Sequence, residues 1–420
     1  MIESAQARSR ALLLMGLCAI FAIGAFLRLP PTLFVEGAPL HFLQALHPQP
    51  GFKGVGFDEN LYQKYVNTLS ATGLTSYPEL AEGYVNVQAE LRTAILPPTR
   101  FLYIFCAYLW HQTTGADALT SLKNISSLFG IVALLVSALF AARLGGLRLA
   151  FGTTALMAFA STQIHMTQHA LIDGVFGCLA LICLWLLWEN LQRPNDWRWL
   201  LGYGIALALL VLTKENALFA YIGLLVALAG SYYFRIGQVS RFLLAATLLG
   251  PLLGVAILVN LCGSLVTAIH IYQLLVSKAA VLSYAIKTGD GPWYRYLVDV
   301  SLVSPIILVL AFGAIFTVRR TYSAEIFLIS FLVATFLVMS NVRYGINLRY
   351  TNMWDLPLRY LAVSYLVNRF ARFRRPDVWL VFDIVVLCAF DLRQYQILFV
   401  KFGLYELVPE GLLRALQILK

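Results

Sequence analysis

The chain has 420 residues, of which 60% are hydrophobic and only 12% are charged. Apolar runs of about membrane-spanning length recur from end to end, which is typical of a polytopic membrane protein and excludes a soluble globular domain. The formal net charge is +10, but no basic stretch is long enough to make a soluble nucleic-acid-binding face. The six cysteines lack metal-ligand spacing and are expected only to pack.

The apolar runs predict an all-α bundle. Arg8 and Arg10 precede the first run, which reads as an uncleaved membrane span. Eleven runs predict transmembrane helices, at 11–29, 121–142, 147–163, 170–190, 199–213, 217–234, 241–262, 297–318, 325–340, 355–368 and 378–390. A twelfth, aromatic run at 101–110 is too short to span and is expected to lie at the membrane surface.

Arginine placement supports this count. If residues 101–110 do not cross and the N-terminus is inside, the arginines between runs fall inside, as the positive-inside rule requires. The remaining polar segments then share the outer side; they are residues 30–120, 164–172, 213–217, 263–296, 341–354 and the tail from 391. The inner loops hold arginine and little else, whereas carboxylates, histidines and lysine collect outside.

Four regions are predicted from this topology. Residues 1–262 form a transmembrane module with a long first external loop at 30–120. Residues 263–296 form a second long external loop, and residues 297–390 form C-terminal helices. Residues 391–420 form an external tail.

The first external loop carries a carboxylate pair, Asp58-Glu59. Apolar and aromatic residues follow at helical spacing, which predicts an amphipathic interfacial helix with Asp58 as its N-cap (Leu61, Tyr62, Tyr65, Val66, Leu69). One interpretation is structural, with Asp58 capping and Glu59 adding first-turn charge. The other is catalytic, because a carboxylate pair at the water edge of a bundle suits a membrane enzyme acting on a lipid-linked substrate.

The turn at 164–172 brings His165 and His169 onto one helix face, with Asp173 four residues further on. These residues either hydrogen-bond to helix ends and loop groups or bind a divalent metal. The metal is the less favoured alternative, because zinc pairs usually come with a clearer third ligand and a base. No cofactor is predicted.

Several cations are candidates for binding a phosphate. Lys214 and Glu215 interrupt two apolar runs, so they either pair with each other or put Lys214 within reach of a phosphate. Arginine binds phosphate oxygens in a bidentate fork, and four arginines of the outer segments are candidates for that contact (Arg92, Arg100, Arg343, Arg349). Tyr350 stands beside the last of them.

With these residues assembled, the chain resembles the GT-C superfamily of membrane glycosyltransferases, in the branch with protein O-mannosyltransferases and the lipid A aminoarabinose transferase. Three features carry the resemblance: Asp58-Glu59 before a helix bearing Tyr62, Pro97-Pro98 before an aromatic surface helix, and the run from His169 to Asp173. It covers roughly residues 10–260. Relatives often have lysine before the proline pair, where this chain has Leu96.

The resemblance implies a bacterial inner-membrane enzyme that moves a sugar from a polyprenyl-phosphate donor to a hydroxyl of a glycolipid, polysaccharide or protein outside the cytoplasm. It implies inversion at the anomeric carbon with Asp58 as the base and Glu59 orienting the base or the sugar. Lys214 and the arginines Arg92, Arg100 and Arg349 would bind the donor phosphate. The remaining candidates would contact substrate (Tyr62, His165, His169, Asp173, Glu215).

Two other functions fit a chain of this class. A transporter or flippase for lipid-linked sugars would use Asp58, Asp173 and Lys214 as a proton or headgroup path. A structural membrane protein would need no converging charges at all. The helices between 121 and 262 carry almost no charge at their centres, which favours an enzyme over a transporter.

Overall fold

The computed structural model describes residues 2–343 and 346–405, and every regular element within these ranges is a helix. The α-helices are α1 Ile2–Arg28, α2 Phe57–Thr72, α3 Tyr77–Glu90, α4 Phe101–Thr114, α5 Ala118–Ala158, α6 Ser161–Gln168, α7 Asp173–Gln192, α8 Trp197–Val211, α9 Ala217–Phe234, α10 Arg241–Leu261, α11 Leu265–Ala279, α12 Ser283–Thr288, α13 Arg295–Val303, α14 Pro305–Thr317, α15 Ser323–Met339, α16 Asp355–Phe370 and α17 Pro376–Tyr395. Short 3₁₀ helices cover Pro31–Leu33, His41–Leu43, Leu74–Ser76 and Leu348–Trp354, and a π-helix covers Gln396–Lys401. The predicted all-α fold class is confirmed.

Five helices in the described part of the chain are long and apolar enough to cross a membrane: α1 from Ala11, α5, α7, α9 and α10. Their composition makes the chain an integral membrane protein. Four shorter apolar helices, α8, α11, α14 and α15, do not reach that length. The count of eleven spans therefore stays a prediction.

The observed helices differ in detail from the predicted runs at two places. Gly146 has φ +81°, so it interrupts the helical backbone of α5 and separates the two runs predicted on either side of it. The run at 297–318 was wrong as one helix, since it divides into α13 and α14. Pro305 has no backbone N–H to continue α13, and Ser304 leaves the helical conformation just before it.

Segments predicted to share a side of the membrane contact one another. The Leu102 amide of the first loop donates to the Leu212 carbonyl across 2.9 Å, and the Gly51 amide donates to the tail at Phe399 across 2.8 Å. At the opposite ends of the helices, Arg148 pairs with Asp377. These contacts join segments within each predicted group of loops.

Part of the predicted tail falls within the described residues and part does not. Helix α17 continues to Tyr395 and the π-helix follows it, so the tail begins as an extension of a bundle helix. Residues 406–420 lie outside the described residues. The predicted second external loop contains α11 and α12, and α11 packs against α3 and α10.

Candidate active site

Helix α2 begins two residues earlier than the sequence suggested. Its N-cap is Gly56, and Glu59 reaches back so that its Oε2 accepts from the Gly56 amide at 2.7 Å, which forms half of a capping box. The prediction of Asp58 as N-cap is therefore wrong. Glycine at position 56 makes room for Tyr405, because a Cβ there would lie 2.0 Å from Cζ of Tyr405 and the ring would have to move.

This start sends two consecutive carboxylates in different directions, as helical geometry requires of neighbouring residues. The side chain of Asp58 is 14% exposed and lines a cavity. The side chain of Glu59 is fully buried, and its Oε1 accepts from the Ala170 amide at 2.7 Å. Glu59 thereby ties the beginning of α2 to the turn between α6 and α7.

The cavity measures about 1550 Å³ and has two kinds of wall. Apolar side chains of α9, α10 and α11 form one part, including Phe219, Leu258 and Ile269. Charged and polar side chains gather in the other part (Asp58, Arg100, Lys214, Glu215, Arg343, Asn347, Arg349, Tyr350). Such a volume fits an amphiphile with an apolar tail and a charged head.

A chain of ion pairs crosses the charged part. Nη1 of Arg349 donates to Oδ2 of Asp58 at 2.8 Å and lies 3.7 Å from Oδ2 of Asp173. Nζ of Lys214 donates to Oδ1 of Asp173 at 2.8 Å and lies 4.2 Å from the centre of the Tyr350 ring. Carboxylates and cations therefore alternate from the cavity wall into the bundle.

Local backbone structure holds this chain in place. The side chain of Asn347 accepts from the Arg349 amide and caps the 3₁₀ helix Leu348–Trp354. In the same 3₁₀ helix, Asn352 donates to the Asp173 carbonyl at 2.8 Å. The arginine segment is thus fixed to the start of α7, which is why residues so distant in sequence meet.

A second ion pair lies beside the first. Arg100 holds Glu215 through both Nε and Nη2, and its Nη1 donates to the Tyr62 hydroxyl at 2.6 Å. Burial raises the pKa of Glu215, but Arg100 and Lys214 together outweigh it and hold that pKa below its usual value. The pKa of Lys214 is lowered because its burial outweighs the attraction of Asp173.

The predicted histidines lie behind the cavity wall in a buried cluster. Nε2 of His165 donates to the Tyr405 carbonyl at 2.9 Å, and the His165 ring stacks on Phe399 with centroids 4.3 Å apart. Nδ1 of His169 lies 3.4 Å from Oε1 of Glu59. Burial lowers the pKa of His165 well below its usual value, so this ring is neutral.

The same cluster decides how Glu59 is charged. Burial alone raises the pKa of Glu59, whereas the His169 ring and the amides of Gly56 and Ala170 lower it and prevail. Asp173 points away from the histidines toward Lys214. Among the residues the structure describes, no three His, Cys, Asp or Glu side chains converge as metal ligands.

The predicted site residues thus fall into two groups. Five line the cavity: Asp58, Arg100, Lys214, Glu215 and Arg349. Six lie outside its wall: Glu59, Tyr62, Arg92, His165, His169 and Asp173. Arg92 is exposed, and the others are buried. Their functional roles stay predictions.

Sequence reasoning did not find every residue of the wall. Asn347, Tyr272 and Gln273 line the cavity, and none of them had been singled out. Asn347 lies two residues before Arg349, a spacing that suits a side-chain cap on the following turn. Tyr272 and Gln273 belong to α11, whose sequence carries no signal that it forms a cavity wall.

An integral membrane bundle of α-helices, with a cavity that is charged at one part and apolar at another, defines a class of membrane proteins built to hold an amphiphile. Comparison with known families makes this more specific. Residues 108–274 match the family model of dolichyl-phosphate-mannose-protein mannosyltransferase. A comparison with curated protein sequences found no significant match.

Solved structures extend the comparison to nearly the whole chain. The crystal structure of ArnT from Cupriavidus metallidurans bound to undecaprenyl phosphate matches with a TM-score of 0.55 at 16% identity, over 92% of this chain and 65% of that one. The oligosaccharyltransferase of Archaeoglobus fulgidus in its apo form matches with a TM-score of 0.58 at 12% identity, over 94% of this chain and 56% of that one. Its complex with an inhibitory peptide and a dolichol-phosphate matches with a TM-score of 0.57 at 13% identity, over 96% and 57%.

The chain therefore has the GT-C fold, and its resemblance to the branch with protein O-mannosyltransferases and the lipid A aminoarabinose transferase is confirmed. The chain spans about two thirds of the length of ArnT from Cupriavidus metallidurans. It spans little more than half of the length of the Archaeoglobus fulgidus oligosaccharyltransferase. The family match covers Asp173 and Lys214 but neither Asp58 nor Arg349.

Proposed function

We propose that the chain is a membrane glycosyltransferase that moves a sugar from a polyprenyl-phosphate donor to a hydroxyl acceptor, which is a glycolipid, a polysaccharide or a protein. The observation that carries the proposal is the cavity, where Asp58, Lys214 and Arg349 adjoin apolar walls of α9, α10 and α11. The proposal is also supported by two relatives of the same fold, one bound to undecaprenyl phosphate and the other to a dolichol-phosphate.

In the proposed reaction, the acceptor oxygen attacks the anomeric carbon opposite the leaving phosphate. A carbon–oxygen bond to the acceptor forms, and the bond from that carbon to the donor phosphate breaks, which inverts the centre. Asp58 takes the proton of the attacking hydroxyl, a contribution of about 10²–10⁴-fold for a positioned base. The polyprenyl phosphate leaves with the bonding electrons, so no second carboxylic acid is needed.

Cations of the cavity wall would stabilise the leaving phosphate. Lys214, Arg100 and Arg349 all line the cavity, which supports the roles predicted for them. Arg92 lies outside the wall, so the geometry gives its predicted phosphate contact no support. Arg343 is exposed and lines the cavity, and within the described residues it forms no ion pair, which makes it the better candidate.

The buried candidates would then act by positioning. Tyr62 supports Arg100 through their hydrogen bond, and Glu215 fixes the other side of the same guanidinium. Glu59 holds the beginning of α2 against the turn that carries His169. None of these contacts requires the side chain to touch the sugar.

The site combines parts of the chain that the four predicted regions separate. Asp58 and Lys214 belong to residues 1–262, α11 belongs to the second external loop, and Arg349 belongs to residues 297–390. We propose that the site faces the periplasm of a bacterial inner membrane. Asn60 and Arg372 are both exposed and belong to loops predicted on opposite sides.

Cysteine labelling tests this orientation. Asn60→Cys should react with a membrane-impermeant maleimide added to intact spheroplasts, and Arg372→Cys should react only after the membrane is opened. Labelling of the Arg372→Cys variant from outside would reverse the proposed topology.

Lipid analysis tests the function. Extracts of cells with and without the protein, compared by mass spectrometry, should differ by a surface glycan or glycolipid that lacks one sugar. Cells that carry Asp58→Asn should resemble cells without the protein. Accumulation of a sugar-loaded polyprenyl phosphate on one membrane face, with all glycans complete, would instead favour the transporter.

A further inference from the structure

The proposed base is occupied in the structure. Oδ2 of Asp58 accepts from Nη1 of Arg349 at 2.8 Å, and the two side chains are only 14% and 8% exposed. The guanidinium therefore lies beside an oxygen that an acceptor hydroxyl would have to approach. Access of a hydroxyl to that oxygen improves if Arg349 moves away from it.

Both cations in the chain of ion pairs already contact a carboxylate. Arg349 contacts Asp58 and Asp173, and Lys214 contacts Asp173. A donor phosphate that binds either cation therefore competes with a carboxylate for it.

One of the two pairs is easier to separate. Lys214 and Asp173 have side chains only 2% and 1% exposed, and separating them would leave a buried carboxylate without its closest cation, which is strongly unfavourable. Asp58 is the most exposed of the four side chains and faces the cavity, where water or an acceptor hydroxyl can replace Arg349. The pair of Asp58 and Arg349 is therefore the one expected to exchange.

We propose that the donor phosphate and Asp58 compete for Arg349, so that binding of the phosphate releases Asp58 to act on the acceptor. The proposal rests on the proposed function and adds an order of steps to it. The donor must bind before the acceptor hydroxyl can lose its proton. Arg349 is then the residue through which the site detects the donor. It also keeps Asp58 from activating a hydroxyl when no sugar is present.

A binding experiment tests the exchange without measuring sugar transfer. The probe is undecaprenyl phosphate, titrated into the purified chain in nanodiscs. Asp58→Asn should tighten binding, because the amide holds Arg349 less strongly than a carboxylate does. In an Arg349→Gln background the same change should lose most of this gain, with a coupling of about threefold or more, as contacting residues show in double-mutant cycles.

A matched control uses the neighbouring ion pair. Glu215→Gln also removes a carboxylate from the cavity wall, but Glu215 pairs with Arg100. Its effect on binding should therefore be the same with Arg349 and with Gln at position 349. Arg349→Met provides a second neutral variant if Arg349→Gln does not yield folded protein.

Each outcome decides the proposal. Tightening by Asp58→Asn that depends on Arg349 supports the exchange. Equal tightening in both backgrounds would mean simple repulsion between Asp58 and the phosphate. Absence of tightening would mean that Asp58 and the phosphate do not compete for Arg349. Each of these two results would overturn the proposed exchange. Failure of the proposed function would appear separately, as Arg349-dependent tightening in a chain that transfers no sugar.

Discussion

The charged part of the cavity and the buried cluster behind it use the same residue types in different ways. Around Asp58, carboxylates pair with arginine and lysine side chains that line an open volume. Around Glu59, a carboxylate and two histidines bond to backbone groups and to one another without reaching that volume. Charged side chains that pair with other side chains lie at the cavity, and those that hold backbone groups in position lie behind it.

The largest effect is expected from Asp58→Asn, which changes a residue of the cavity and leaves the buried cluster unchanged. Asp58 does not cap α2, so the backbone hydrogen bonds at the helix start stay in place. Turnover of a polyprenyl-phosphate sugar should fall by at least about a hundredfold, since an amide cannot accept the hydroxyl proton. The thermal midpoint, followed by circular dichroism, should be unchanged. A near-normal turnover would remove Asp58 as the base.

The next effect concerns Lys214. Lys214→Ala should weaken binding of undecaprenyl phosphate by about tenfold or more, because a hydrogen bond to a charged group contributes roughly 1.5–3 kcal/mol. Lys214→Arg should restore part of the affinity because it keeps the charge. Unchanged affinity in the alanine variant would exclude Lys214 from the phosphate site.

The same change also affects folding, and a second variant separates the two effects. Lys214→Ala leaves Asp173 buried without its nearest cation, which costs about 3–5 kcal/mol in comparable pairs. Combining Lys214→Ala with Asp173→Asn removes both charges, so stability should recover in part. Weak lipid binding that persists in this double variant reports the phosphate contact alone.

A smaller effect on transfer, and a larger one on stability, is expected from Glu59→Gln. Glutamine keeps one accepting oxygen but presents an amide to the second of two backbone donors, so the free energy of unfolding should fall by about 1–3 kcal/mol. Turnover per folded molecule should change far less than in Asp58→Asn. If Glu59→Gln lost activity as severely with stability intact, the separation of cavity and cluster would be wrong.

The smallest effect compares two exposed arginines. Arg92 lies outside the cavity wall. The variant Arg92→Ala should therefore change lipid affinity and stability by less than about 0.5 kcal/mol, as is usual for surface substitutions. Arg343 lies on the cavity wall. The variant Arg343→Ala should weaken the affinity for the lipid by up to about fivefold, in the range of exposed charge pairs. A stronger effect at Arg92 than at Arg343 would return Arg92 to the phosphate site.

Much of the fold was predictable because its main signal is one-dimensional. Each apolar run contains a helix, and the short run at 101–110 became α4, which packs on α2 and α5. The breaks were harder. Pro305 was visible in the sequence, yet a proline is also tolerated within an α-helix, as Pro251 is within α10, so its residue type did not decide the outcome.

The site was predictable by residue type more than by arrangement. Asp58, Lys214 and Arg349 were found because charges in loops between apolar runs are unusual. Glu59 and the histidines were grouped with them for the same reason, although burial separates them from the cavity. Both Gly56 and Asp58 fit the sequence pattern as the helix N-cap, and the two positions are separated by about 200° around the helix axis.

By itself, the sequence determined that this is a helical membrane protein, and it predicted which segments share a side and which charged residues that side collects. Those properties follow from hydropathy and arginine placement, which act on each segment independently. Only the tertiary structure decided that Asp58 faces the cavity while Glu59 does not, and that Asp58 meets Arg349 from 291 residues away. Such pairings depend on how the helices pack against one another, and no local sequence pattern indicates which residues far apart in the chain will meet.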